Sequence, residues 1–178
     1  MHMVIRAIVY ANDEEEAMEC ARDVFDSLCE DHIFDYYTTF DEDEPMSGRA
    51  RWGDLPVVAK ADSPEGITLI DGGMEATKKE FMNYISQIRR ILDEYTDEEL
   101  YEAKYDSFYN DIRFNARQLG QRRGTTIWLY DHEGAGITTP DHLKDVLSKW
   151  RRIYEDKGKE NPYDKDKEIW VVPADVHR

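Results

Sequence analysis

The apolar positions along this chain change period several times, and each change predicts an element. VIRAIVYA (4–11) alternates weakly and is rich in β-branched residues, which predicts a strand. Asn12 or Asp13 then caps a helix to about Glu30, in which Ala17, Ala21, Val24, Phe25 and Leu28 share one face. Glu16, Glu19, Asp23, Asp26 and Glu30 fall on the opposite face. The helix is expected to lay one side on a sheet and to turn an acidic stripe to water.

IFDYYTTF (33–40) predicts a second strand, the acidic Pro- and Gly-containing stretch 41–56 a long loop, and VVAKA (57–61) a short third strand. Ser63-Pro64-Glu65 signals a helix start, and Gly72-Gly73 a break before a long helix from about Glu75 to Tyr95. In that helix Phe81, Ile85, Ile88, Leu92 and Tyr95 recur at helical spacing. Thr96 to Glu99 has the form of a capping box, and a further helix runs from about Asp106 to Leu119, stopped by Gly120. Then come a strand (125–130), a helix from Pro140 to about Tyr154, a polar loop (156–167) and the strand EIWVV (168–172).

This order predicts an α/β or α+β fold. Its sheet is expected to be small, four-stranded and mostly parallel or mixed, made by two strand-helix-strand units with a helical segment between them. The 178 residues suit one domain, with an N-terminal unit to 61, the helical insertion over 62–120 and a C-terminal unit over 121–178. Eleven Tyr, six Phe and four Trp can fill a core, so the mean hydropathy of −0.76 reflects a charged surface and not a chain unable to fold. No stretch approaches the roughly 20 apolar residues of a membrane span, and the apolar run at the start is too short for a secretory signal. A soluble, cytoplasmic protein is expected. Cys20 and Cys29 sit nine residues apart in one helix, on opposite faces, which suits a reducing compartment.

Charge changes the picture most. The formal net charge is −16, and residues 11–44 hold fourteen Asp and Glu against the single Arg22, so −13 of it lies there. Two islands are basic, at +3 each: Asp111 to Gly124 and Lys149 to Lys159. Glu16, Glu19, Asp23 and Asp26 are therefore candidate contacts for a protein partner with a basic surface. The competing reading of the acidity is adaptation to a salt-rich cytoplasm. Arg113, Arg117, Arg122 and Arg123 are candidate anion ligands, for an acidic partner, for a second copy of the chain or for nucleic-acid phosphates. The whole-chain charge weighs against nucleic acid.

Candidate chemistry is concentrated in TTIWLYDHEGAGITTP (125–140), where a strand ends in Asp131, His132 and Glu133. Asp131, His132 and His142 could supply a base held by a carboxylate, and Asp131, His132, Asp141 and His142 could bind a divalent metal across the loop. Otherwise no cofactor is expected, because Gly134-Ala135-Gly136 lacks the length and lysine of a phosphate loop. Acidic residues and glycines are also what any tight strand-to-helix turn uses. Three functions follow in order: a binding or regulatory module acting through its polarised surface, a metal-assisted hydrolase of an anionic substrate at the Asp131/His132 loop, and nucleic-acid binding through Arg113 to Arg123.

Overall fold

The computed structural model describes residues 1–41, 48–157 and 167–178, with side chains left aside over 149–157. The centre of the acidic loop (42–47), most of the polar loop (158–166) and the side chains of the Lys149 to Lys159 island lie outside the described residues. In chain order the elements are β1 (His2–Ala11), α1 (Glu14–Glu30), β2 (Tyr36–Thr39), α2 (Gly48–Trp52), β3 (Ala59–Lys60) and α3 (Pro64–Glu94). They are followed by α4 (Asp97–Tyr101), a 3-10 turn (Phe108–Asn110), α5 (Ile112–Leu119), β4 (Leu129–Tyr130), α6 (Pro140–Lys157) and β5 (Glu168–His177).

The sheet is mixed and five-stranded, in the order β2-β5-β1-β4, with β3 also on β5. β1 and β5 pair antiparallel along their full length, from His2 opposite His177 to Ala11 opposite Glu168. β4 runs parallel to β1, with Arg6 opposite Leu129. The N-terminal strand-helix-strand unit thus returns parallel with β5 lying between its strands, whereas the C-terminal unit returns antiparallel across β1. The sheet has one strand more than the four expected: the short strand read at VVAKA joins it, on the half of β5 that β2 leaves open.

Pro173 lies within β5, where a missing N–H normally breaks a ladder. Arg6 donates its N–H to Trp128 of β4 at 2.9 Å, so the Arg6–Pro173 pair exchanges no hydrogen bond. Pro173 therefore turns its nitrogen to the outer edge, where β2 pairing stops at Ala174 and β3 pairing begins at Val171. The gap between those strands absorbs the proline.

Both faces of the sheet are covered. Odd-numbered β1 residues Ile5, Ala7 and Val9 join Val172, Ala174 and Val176 of β5 and Ala21, Val24, Phe25 and Leu28 of α1. On the other face Ile8, Leu129 and Val171 meet Leu69 and Ile70 of α3 and Val146 of α6. Burying each large aliphatic or aromatic side chain here is worth about 1.5–3 kcal/mol. α1 starts at the Asp13 cap, whose carboxylate accepts from the Glu16 N–H at 2.9 Å.

Three expectations need correction. Gly72-Gly73 does not interrupt the helix, since α3 runs unbroken over 31 residues. The pair instead lets the sheet approach: a Cβ on Gly73 would lie 3.2 Å from Arg6 Cδ and 3.3 Å from the Leu129 Cβ. The strand expected at 125–130 shortens to Leu129–Tyr130, because the Ile127 N–H turns back onto the Gly124 carbonyl at 3.1 Å. The loop at 41–56 contains the short helix α2.

Candidate functional site

β1 and β4 are parallel neighbours whose following helices go to opposite faces, α1 to one and α6 to the other. At such a switch point the loops diverge and leave a crevice beyond the strand ends. Here the crevice has a volume of about 390 Å³ and is lined by Tyr10 at the end of β1, by Asp131, His132 and Glu133 after β4, and by His142, Asp145, Val146 and Ser148 on α6.

Asp131 organises its loop. Its Oδ1 accepts the N–H groups of Glu133 at 3.0 Å and Ala135 at 2.9 Å, and its backbone carbonyl accepts from Gly134 at 2.9 Å. Gly134 sits at φ 71, the left-handed region that favours glycine, and that permits the reversal. The side chain is 8% exposed, and its Oδ2 has no hydrogen-bond partner among the described residues. Tyr10 closes the floor by donating its hydroxyl to the Val146 carbonyl at 2.9 Å. Burial, with the Asp131 charge second, pushes the Tyr10 phenol up to about 12. The His132 ring stands edge-on to Tyr10 with centroids 5.0 Å apart.

The crevice thus brings together Asp131, His132 and His142, as the sequence suggested, but Asp141 is exposed and does not line it. Among the described residues neither imidazole has a carboxylate holding its ring nitrogen, and no three His, Cys, Asp or Glu side chains are placed to share a metal ion. The arginines are not among the lining residues. Tyr10 and Asp145 join the site through tertiary contacts that no local pattern announces.

Along α1, Glu19, Asp23, Asp26 and Glu30 are exposed, whereas Glu16 is half-buried and structurally engaged. Its carboxylate accepts the Asn12 backbone and side-chain N–H groups at 2.7 Å and pairs with Lys167 at 3.4 Å. The Asn12 backbone bond is the main cause holding the Glu16 carboxyl below its ordinary value. Arg22 is bound to Asp41, so no cation of α1 neutralises the stripe.

The arginine island is divided. Arg113 donates to the Leu100 and Tyr101 carbonyls at the end of α4, and Arg123 joins the Asp31 carboxylate to the Glu133 carbonyl. Arg117 and Arg122 remain exposed. The buried residues of α5 are polar, Asn115 and Gln118. Asn115 faces inward because its amide caps the Tyr109 and Asp111 carbonyls at 2.9 and 2.8 Å.

One buried charge was not legible in the sequence. Asp175 of β5 is 1% exposed and accepts from Arg51 and Trp52 of α2, with His2 Nδ1 at 3.1 Å. This contact fastens α2 to the sheet.

All 178 residues match the model of a family described as a domain of unknown function (DUF7995), and the chain belongs to that family. No curated protein and no solved structure matches it. Among the described residues no helix is long and apolar enough to cross a membrane.

Proposed function

We propose that this chain is a binding module that docks a basic protein surface on the solvent face of α1. The observation that carries the reading is the arrangement of Glu19, Asp23, Asp26 and Glu30, exposed in one row over a helix whose other face is wholly in the core. Like charges one turn apart oppose helix formation, so the row is a cost that folding does not require. Its placement also argues against a purely environmental origin. Adaptation to salt would spread acidity over the surface, whereas −13 of the −16 falls in residues 11–44. A metal-assisted hydrolase has less support, because among the described residues no carboxylate orients either imidazole of the crevice. Nucleic-acid binding through Arg113 to Arg123 is weakened by the internal bonds of two of the four arginines.

The test is titration of the full chain with a lysine-rich peptide, followed by backbone amide shifts. Saturable shifts are expected along α1, weakened at least tenfold in the Glu19→Lys/Asp23→Lys variant with its melting temperature held. Shifts scattered over the surface, or binding unchanged by the reversal, would defeat the reading.

A further inference from the structure

We infer that the crevice between β1 and β4 binds a small organic cation carrying N–H donors, an ammonium or guanidinium group seated on Asp131. The first support is a carboxylate with one oxygen unused. Asp131 is 8% exposed, its Oδ1 is occupied by two backbone N–H groups, and its Oδ2 has no donor among the described residues. This oxygen is not one of the sealed polar atoms of the interior, and Asp131 lines the crevice, so the N–H donor of a ligand can reach it.

Charge and shape select the ligand class. Among the described residues the lining includes the carboxylates of Asp131, Glu133 and Asp145 and no Lys or Arg. The Tyr10 and His132 rings, packed edge-on, line the crevice beside these carboxylates. A volume of about 390 Å³ lies at the small end of ligand sites, and the switch point between parallel strands is where open α/β sheets bind ligands. A metal ion fits less well, because no three ligating side chains among the described residues are placed to share one. This site is separate from the α1 face, and the two inferences stand or fall independently.

Calorimetric titration of the full chain with agmatine, with choline as a cation lacking N–H donors, tests it. In Asp131→Asn the Oδ1 acceptor that holds the turn is kept, while an NH2 group replaces Oδ2. Agmatine is expected to bind one to one, choline at least tenfold more weakly, and Asp131→Asn to lose at least tenfold in agmatine affinity with its melting temperature held. Should that variant fail to fold, the Glu133→Gln/Asp145→Asn variant, altered only at exposed positions, is expected to weaken agmatine at least threefold. The inference is overturned if agmatine shows no saturable binding, if choline binds equally well, or if the folded variants bind agmatine as the parent does. Glu19→Lys/Asp23→Lys leaves agmatine binding unchanged if the two sites are distinct.

Discussion

The Tyr10 hydroxyl donates to the Val146 carbonyl across 2.9 Å, joining the end of the central strand to α6 at the floor of the crevice. Burial keeps this phenol protonated to about 12, and burial likewise raises the Tyr37 and Tyr130 phenols. Their folded values lie above the unfolded one, so the linked stability is complete below about pH 10 and is lost as pH climbs through the folded values. Arg6 acts in the opposite sense, because burial lowers it to about 10 and its charged form is relieved at higher pH. Burial also raises the Tyr84 phenol, and with four phenols against one guanidinium urea midpoints are expected to hold to about pH 9 and then to fall. Tyr10→Phe should cost about 1 kcal/mol at neutral pH through the lost hydrogen bond and make the alkaline fall shallower.

Two glycines of α3 should respond in opposite ways to the same change. A Cβ on Gly66 would lie 1.9 Å from the Lys60 carbonyl oxygen, a backbone atom that cannot swing aside, so Gly66→Ala should separate α3 from β3. A loss of at least about 3 kcal/mol is expected, within the range of severe overpacking. A Cβ on exposed Gly72 would meet only Arg6 Nη2, at 3.5 Å. Gly72→Ala should therefore stabilise the chain by up to about 1 kcal/mol through helix propensity. Chemical denaturation of both variants checks the contrast.

Those glycines also mark where local reading reaches its limit. Gly-Gly signals a break by propensity, but here the missing Cβ of Gly73 admits Arg6 and Leu129, partners more than fifty residues away on either side. The signals that succeeded were local and redundant: the Ser63 and Thr96 caps and the five core positions of α1 all lie where the pattern put them. At the crevice, the placing of His132 and His142 on one lining was legible because one short loop joins them. Asp145, on the next turn of α6, and Tyr10, on a distant strand, were not. The arginine island misled for a similar reason, since composition records four charges but not the carbonyls that Arg113 and Arg123 occupy.

The acidic row and its neighbour Glu16 should separate in a stability assay. Neutralising Glu19, Asp23 and Glu30 together (Glu19→Gln, Asp23→Asn, Glu30→Gln) removes like-charge pairs at helical spacing. A gain of about 0.2–0.5 kcal/mol per pair is expected in dilute buffer, shrinking in molar salt. Glu16→Ala should instead lose about 1 kcal/mol, because its carboxylate satisfies the Asn12 N–H ahead of the helix. The Glu16 carboxyl is depressed in the fold, so its contribution is present above the unfolded carboxyl range and disappears as pH falls through the folded value. Urea midpoints between neutral pH and pH 3 report both effects.

The measurement that bears most directly on the docking claim is the thermal unfolding midpoint from dilute buffer to multimolar KCl. If the acidity of residues 11–44 serves a partner, the chain should unfold cooperatively in dilute buffer, with its midpoint rising only modestly as salt screens α1. A chain that is unfolded in dilute buffer and folds only in molar KCl would contradict that account, because the acidity would then be explained by the solvent and not by a surface to be met.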